Sequence, residues 1–355
     1  MTFFRSAVRA SLLSLFALVF AAILSSCASD AHAMSAYTVV ETPGYETTGL
    51  LRRVCLDPGC GATEELKMKA SSGLEYVKTD GLLLVSGRGD CRDRTLYISP
   101  VTPEGEKVDG IAAAAFLDDD TVTDLIVGEG ISKIFDGAFA GCAKLRTVAL
   151  PEKLELLDSE AFLHCSQLRS VRMPRFLDTI SANLFNGCTS LQNVTLPEDL
   201  LDIGYSAFNM CSSLESVDFP ETLLGIGSFA FADCVSLGSP DLPDNLRTID
   251  VSAFSGCVKI ERVVIPSSLE TLESCAFYRC LGLREVFLPK EVSVVRAPDG
   301  MSPFYSSNPD LVVRTDADAL LPGWDERMNV LYMPDVESDE DQPVYLKILF
   351  GERSD

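Results

Sequence analysis

The sequence predicts a solenoid of short parallel β-strands, stacked coil on coil, with one residue pattern repeated along the axis. Three observations predict it. Cysteines stand at 142, 165, 188, 211, 234, 257 and 280, so the same residue recurs every 23 positions. Each is followed by a segment of the form Leu145-x-x-Val148-x-Leu150-Pro151, aligned through to Leu283, Val286, Leu288 and Pro289. Each repeat then runs into a phenylalanine, at Phe139, Phe162, Phe185, Phe208, Phe231, Phe254 and Phe277, mostly after alanine. A fixed period of about 20–50 residues marks a stacked-repeat architecture.

Each part of the pattern has a local reason. L-x-x-V-x-L is too short for a helix, and the Pro that follows lacks an amide hydrogen and ends strand pairing. The segment is therefore a short strand. The remainder of each interval exceeds the dozen residues a parallel crossover needs, so copies can pair about 4.8 Å apart. Apolar residues at +3 and +6 from each Pro, such as Leu200 and Ile203, turn inward with the Phe. No coil can bury these groups alone, so stacking makes the core. One period before Phe139 lies Phe116, with Asp119 in the Cys place and Val122, Leu125 and Val127 in the strand places. The array thus starts at least one coil earlier. After Pro289 the spacing slips by four residues to Phe304, with Asn308 and Leu311 in the Cys and Leu places.

The full pattern, C-x-x-L-x-x-V-x-L-P-x-x-L-x-x-I-x-x-x-A-F-x-x, resembles the leucine-rich repeats of the BspA and treponemal (TpLRR) family. The resemblance implies a leucine-rich-repeat solenoid, with a parallel sheet on one face and turns or short helical segments on the other. It also implies interaction or adhesion at a bacterial surface, with host matrix or plasma proteins, or other bacterial surface proteins, as partners. Residues 112–290 hold the regular repeats. Residues 37–111 read as an N-terminal cap with an irregular, hairpin-type repeat, the hairpin lying in "TDGLLLVSGRGDCRDRTLYISP"; a separate small β domain is the other reading. Residues 291–355 read as a degenerate repeat and C-terminal cap. "DADALLPGW" closes the stack, and two strands bracket the acidic loop "DVESDEDQ".

The first residues stand apart from the fold. Arg5 and Arg9 precede an apolar run from Ser11 to Ile23. The run is short for a membrane span, which needs about 20 residues, and suits an export signal. Leu24-Ser25-Ser26-Cys27 follows and resembles the lipobox of bacterial lipoproteins, which implies cleavage after residue 26 and a lipid anchor on Cys27. Residues 27–36 then form a tether. A second cleavage signal, Ala31-His32-Ala33, would give ordinary secretion. Both readings mean export, to the cell surface or facing the periplasm.

Composition narrows the partner. The chain has 29 Lys plus Arg against 52 Asp plus Glu, for a formal charge of −23. Nucleic acid and anionic headgroups select basic patches and are excluded as main partners. Seven cysteines in register would form a line, one per coil, whereas a zinc site needs four ligands converging on one point. They read as buried, reduced thiols. Cys55, Cys60 and Cys91 lie outside the register and Cys275 is an extra inside it; one disulfide among the first three is expected, with the pair unassigned. No metal, cofactor or catalytic motif appears. The two histidines are His32 in the tether and His164 beside Cys165. An enzyme would have to place its site within 37–111. Arg88-Gly89-Asp90 spells the integrin tripeptide, on a predicted turn where a solvated Gly-rich tip is the simpler reading.

A binding surface is predicted on the outward positions of the strands. In L-x-x-V-x-L the x residues vary freely over a constant core. They begin basic with Arg146, Arg169 and Arg172 and pass through Gln192 and Asn193. They turn acidic at Glu215, Asp218 and Asp241 and end mixed at Arg262, Val264, Arg284 and Phe287. Phe287 is either an exposed anchor or covered by the C-terminal cap.

Overall fold

The structure is a computed structural model that describes residues 34–56, 60–290, 292–294 and 301–315, with short strands at Val330–Tyr332, Val344–Tyr345 and Lys347–Leu349. The apolar leader, Cys27, the 31–33 cleavage signal, Trp324 and the acidic loop at 335–342 lie outside the described residues. The chain divides into two compact units, Met1–Lys69 and Ala70–Asp355.

The first unit contains an antiparallel meander of Thr38–Glu41, Gly49–Val54 and Thr63–Met68. Leu51 is fully buried, and Arg52–Glu65 and Arg53–Glu64 pair across the strands at 2.6 and 2.8 Å. Met34 bridges Cys55 and the Ser35 amide donates to the Val54 carbonyl at 2.8 Å, so the end of the expected tether is tied to this sheet.

The second unit is the solenoid, and residues 70–111 already belong to it. The expected hairpin is displaced. Glu75–Thr79 and Leu82–Gly87 pair antiparallel around Asp80-Gly81, whose φ values of 51° and 80° suit a two-residue hairpin turn. The two apolar runs on either side of Gly87–Asp90 do not pair with each other. Leu82–Gly87 joins one parallel sheet and Thr95–Ile98 another.

Two parallel sheets run along the axis, where the sequence reading had one. The front sheet is built from the L-x-x-V-x-L segments, such as Thr147–Ala149, Ser170–Arg172 and Asn193–Thr195. The back sheet is built from two-residue strands ending at the apolar residue six after each Pro, such as Asp202–Ile203, Gly225–Ile226 and Thr248–Ile249. Among the described residues there is no helix, so turns alone complete each coil. Pairing is coil to coil, with each residue opposite the one a period away, as in Val171 with Val194 and Ile203 with Ile226.

Each sheet opens once, and the openings are staggered. The front sheet stops after Asn193–Thr195 and resumes at Arg262–Val264. Residue 240, which falls on the central Val position, is a proline, and it has no amide to give to the ladder. The Ser239 hydroxyl fills part of the gap, accepting from the Glu261 and Arg262 amides at 3.1 and 3.0 Å. The back sheet runs unbroken from Thr179–Ile180 to Ser293–Val294 across that opening. It breaks instead between Leu156–Leu157 and Thr179–Ile180, where the front sheet is continuous and the Ser181 hydroxyl donates to the Leu157 carbonyl at 2.6 Å.

Between the sheets lie continuous files of identical side chains. Nine phenylalanines from Phe116 to Phe304 stack with centroids 5.0–5.9 Å apart and planes within 17°. Such offset stacks add to their burial energy. The turn that carries each Phe repeats two left-handed residues. One lies two before the Phe (Glu160, Asn183, Ser206, Phe229) and one just before the Cys (Gly141, His164, Gly187, Met210), all with φ between 51° and 75°. This tight turn aims alternate amides at the next coil: Ser206, Phe208 and Met210 donate to Ser228, Ala230 and Ala232 at 2.7–2.9 Å.

Two outcomes follow. Phe208→Ala empties one place in a closed file and should cost about 3–5 kcal/mol in denaturant unfolding. Met210 is about half exposed and holds φ 60° where Gly187 and Gly256 occur in other coils. Met210→Gly should therefore gain about 1 kcal/mol, read as a higher Tm.

Candidate interaction surface

The front-sheet ribbon presents its variable residues as the pattern requires, with two exceptions. Leu145 and Val148 are buried, while Arg146, Arg169, Arg172, Gln192, Asn193, Glu215, Asp218, Arg262, Val264 and Arg284 are exposed. Thr147 is buried, its hydroxyl donating to Asp124 at 2.6 Å. Phe287 is also buried, at 8 % exposure, because the chain continues past it: Val312–Arg314 pairs with its strand and sets Arg314 opposite Phe287. It is a covered core residue, and Val264, at 42 %, is the apolar group left open.

The arginines divide by partner. Arg146 and Arg169 sit on successive coils, the Arg169 amide donating to the Arg146 carbonyl at 3.2 Å. Neither guanidinium has an acid within 4 Å among the described residues; Arg146 touches only Gln167, at 3.4 Å. Arg172 reaches Glu152 at 3.5 Å, an exposed pair of small worth. At the other end Glu285 lies between Arg262 at 3.4 Å and Arg314 at 2.6 Å, so that charge is balanced within the sheet. Glu215, Asp218 and Asp241 fall on the opened stretch. Two basic coils without an acid at their guanidinium groups among the described residues, then an acidic gap, then an end where Glu285 pairs two arginines make a surface whose charge varies along the axis.

The cysteine line forms as expected, with a role the spacing did not reveal. Each thiol from Cys142 to Cys280 is fully buried and donates to the carbonyl of the Phe in the preceding coil at 3.1–3.3 Å. Burial pushes Cys142 and Cys280 up to about 12 and the five between them well above the ordinary thiol range. These are unreactive protonated donors. In the last coil Ser307, not Asn308, takes the place, its hydroxyl donating to Phe277 at 2.6 Å. Leu311 then stands four residues beyond the Cys place where other coils have three, so one extra residue lies between them. His164 does not form a dyad with Cys165: its ring lies over Gly187 while the thiol points inward to Phe139. Cys91 is a buried thiol outside the register, raised by burial. Among the described residues no three His, Cys, Asp or Glu side chains gather to hold a metal ion.

Arg88 of the integrin-like tripeptide is turned into the fold. It pairs with Asp119 and donates to the Cys91 and Asp93 carbonyls at 3.2 and 3.0 Å. Gly89 packs against Gly73, leaving no room for a Cβ. This pair closes the first end of the cysteine line. Sequence reasoning found Asp119 by its register but had no signal for Arg88, which lies 31 residues away.

Asp119 gives a pH prediction. Burial alone would raise its carboxyl, but the hydrogen bonds from Arg88 and Thr121 prevail and hold it below the ordinary value. Its folded pKa is depressed, so its stabilisation is complete above the unfolded value of about 3.9 and is lost as pH falls through the folded one. Asp119→Asn should cost about 3 kcal/mol at pH 7, since Arg88 is left without its partner. The variant's Tm should then fall less steeply than the parent's below about pH 4.

The search among curated proteins returns no match. A leucine-rich repeat protein from Bacteroides ovatus has a similar structure, with 24 % identity, 69 % of this chain and 70 % of that one covered, and a TM-score of 0.51. The leucine-rich repeat protein TpLRR of T. pallidum matches at 24 % identity over 58 % of this chain and 85 % of that one, with a TM-score of 0.40. A leucine-rich cell surface protein from Faecalibacterium prausnitzii matches at 18 % over 63 % and 89 %, with a TM-score of 0.38. The BspA type leucine-rich repeat region, in six copies, matches residues 109–227 and 178–299, more than half of the sequence. The chain belongs to the BspA-type leucine-rich repeat family.

Proposed function

We propose that the chain is an exported, lipid-anchored binding protein that holds a protein partner on the basic end of its front sheet. Leucine-rich repeats of this family serve protein–protein interaction in general, and a solenoid of this kind is a scaffold for binding. The observation that carries the finer reading is the Arg146–Arg169 stack. Two arginines stand exposed, one coil apart, with no acid within 4 Å among the described residues, in a chain of net charge −23. Neighbouring like charges raise the free energy of the surface unless an anionic group meets them, and planar guanidinium groups suit carboxylate or sulfate. A host matrix or plasma protein, or another bacterial surface protein, fits that requirement. Cys27 and the leader before it support anchoring at the membrane, with residues following it as spacer. The second reading, a scaffold on the periplasmic face, uses the same ribbon for the cell's own proteins. Shaving intact cells with protease separates the two, since only a surface-exposed chain is cut.

The test is capture of partners by the purified solenoid-bearing protein, repeated with Arg146, Arg169 and Arg172 changed to glutamate. Capture should fall at least about tenfold, as two or more charge-assisted contacts of about 1.5–3 kcal/mol each are reversed. Undiminished capture of the same partner would move the site off the basic end.

A further inference from the structure

The back sheet has an outer face as well, and three successive coils shape it. Its outward residues there read Asp202 and Gly204, then Gly225 and Gly227, then Thr248 and Asp250. A Cβ on Gly225 would meet the Asp202 carboxylate at 2.6 Å and the Thr248 hydroxyl at 3.2 Å. The Asp202 carboxylate therefore lies across a floor that has no side chains. Gly204 and Gly227 are held to glycine by the carbonyls of the preceding coil, 2.7 and 2.9 Å from where a Cβ would stand. The result is a notch with one carboxylate at each diagonal corner.

Its rim is apolar. Leu201, Tyr205 and Phe229 are 38, 53 and 37 % exposed, and the Tyr205 and Phe229 rings meet edge to face at 5.9 Å. Neither Asp202 nor Asp250 has an ion-pair partner among the described residues. The nearby cation, Arg247, is drawn to Glu270 at 2.8 Å. Burial, and then the charge of Asp202, push the Asp250 carboxyl above the ordinary range. Two acids thus share a recess with no base between them, beside aromatic rings that also attract cations.

We infer that this notch is a second docking surface, which takes a lysine or arginine side chain of a protein partner, with an adjacent apolar residue on the Tyr205–Phe229 rim. A long basic side chain suits both parts, since its head answers the carboxylates while its stem covers apolar surface. The two carboxylates and the Thr248 hydroxyl beside them supply acceptors for the several N–H donors of an organic cation. The strong net negative charge steers such a partner toward the protein. This surface is independent of the front-sheet reading and survives its failure.

The experiment is calorimetric titration of the protein with an alternating lysine–phenylalanine hexapeptide, and with its glutamate–phenylalanine counterpart. The basic peptide should bind with an affinity that weakens as salt is raised, and the acidic peptide should not bind. Asp202→Asn with Asp250→Asn should weaken binding at least about tenfold, the worth of a charge-assisted contact. Asp80→Asn with Glu104→Gln, which removes two charges at exposed positions outside the notch, should leave it unchanged. Asp250→Asn alone should raise Tm, which verifies that the variants fold and that the two acids repel. Absence of binding at millimolar basic peptide, equal binding of the acidic peptide, or parental affinity in the double variant would each overturn the inference.

Discussion

Coil-on-coil stacking of identical side chains is the constraint on which the rest of this molecule depends. A single 23-residue coil has one Phe, one Cys and a few aliphatic groups, and no second layer to cover them. Its neighbour supplies that layer, and the nine-ring Phe file is the visible result. Every other file inherits the register, including the thiols, because a slip of one residue in any coil would turn its core outward. The cysteine line is shorter than the stack, whose front sheet runs on to Thr95–Ile98 on one side and Lys347–Leu349 on the other, and both ends of the line are marked by substitution. Asp119, with Arg88 across it, replaces the first Cys, and Ser307 replaces the last. Polar groups are tolerated there because charge or a stronger hydroxyl donor compensates for the burial.

The same constraint explains how the sheets can open without loss of the axis. Pro240 removes a ladder donor, and the front sheet comes apart over two coils. Phe219, at a Leu position in that stretch, still reaches Phe231 edge to face at 5.6 Å, so the interior stays filled. The back sheet is continuous behind the opening, and the front sheet is continuous where the back one breaks. Side-chain files carry register through both. Backbone pairing is therefore the more expendable of the two ordering forces in this solenoid.

Because the interior is fixed by repetition, the outside is free to carry information. The front ribbon separates charge along the axis, with Arg146 and Arg169 unpaired among the described residues at one end and an Arg262–Glu285–Arg314 group at the other. The back sheet does something different, setting two acids around a glycine floor beside an aromatic pair. Both surfaces are built from positions that the core does not constrain, which is what lets one framework present two kinds of chemistry.

Periodicity alone dictated the solenoid, the Phe and Cys files and the exposure of most ribbon positions. It did so because a 23-residue period leaves one way to bury a repeated face, and because strand, Pro and crossover length are local properties. It could not determine what depends on residues far apart in the chain. Arg88 reads as the tip of a turn until Asp119 is brought to it. Phe287 reads equally as open or covered until a later strand decides it. The meander before Lys69 and the hairpin at Asp80-Gly81 lack the period, so nothing in the pattern placed them. The back sheet was hidden because its strands are two residues long, too short to show alternation. Only stacking, which puts Gly225 between Asp202 and Thr248, turns those dipeptides into a surface.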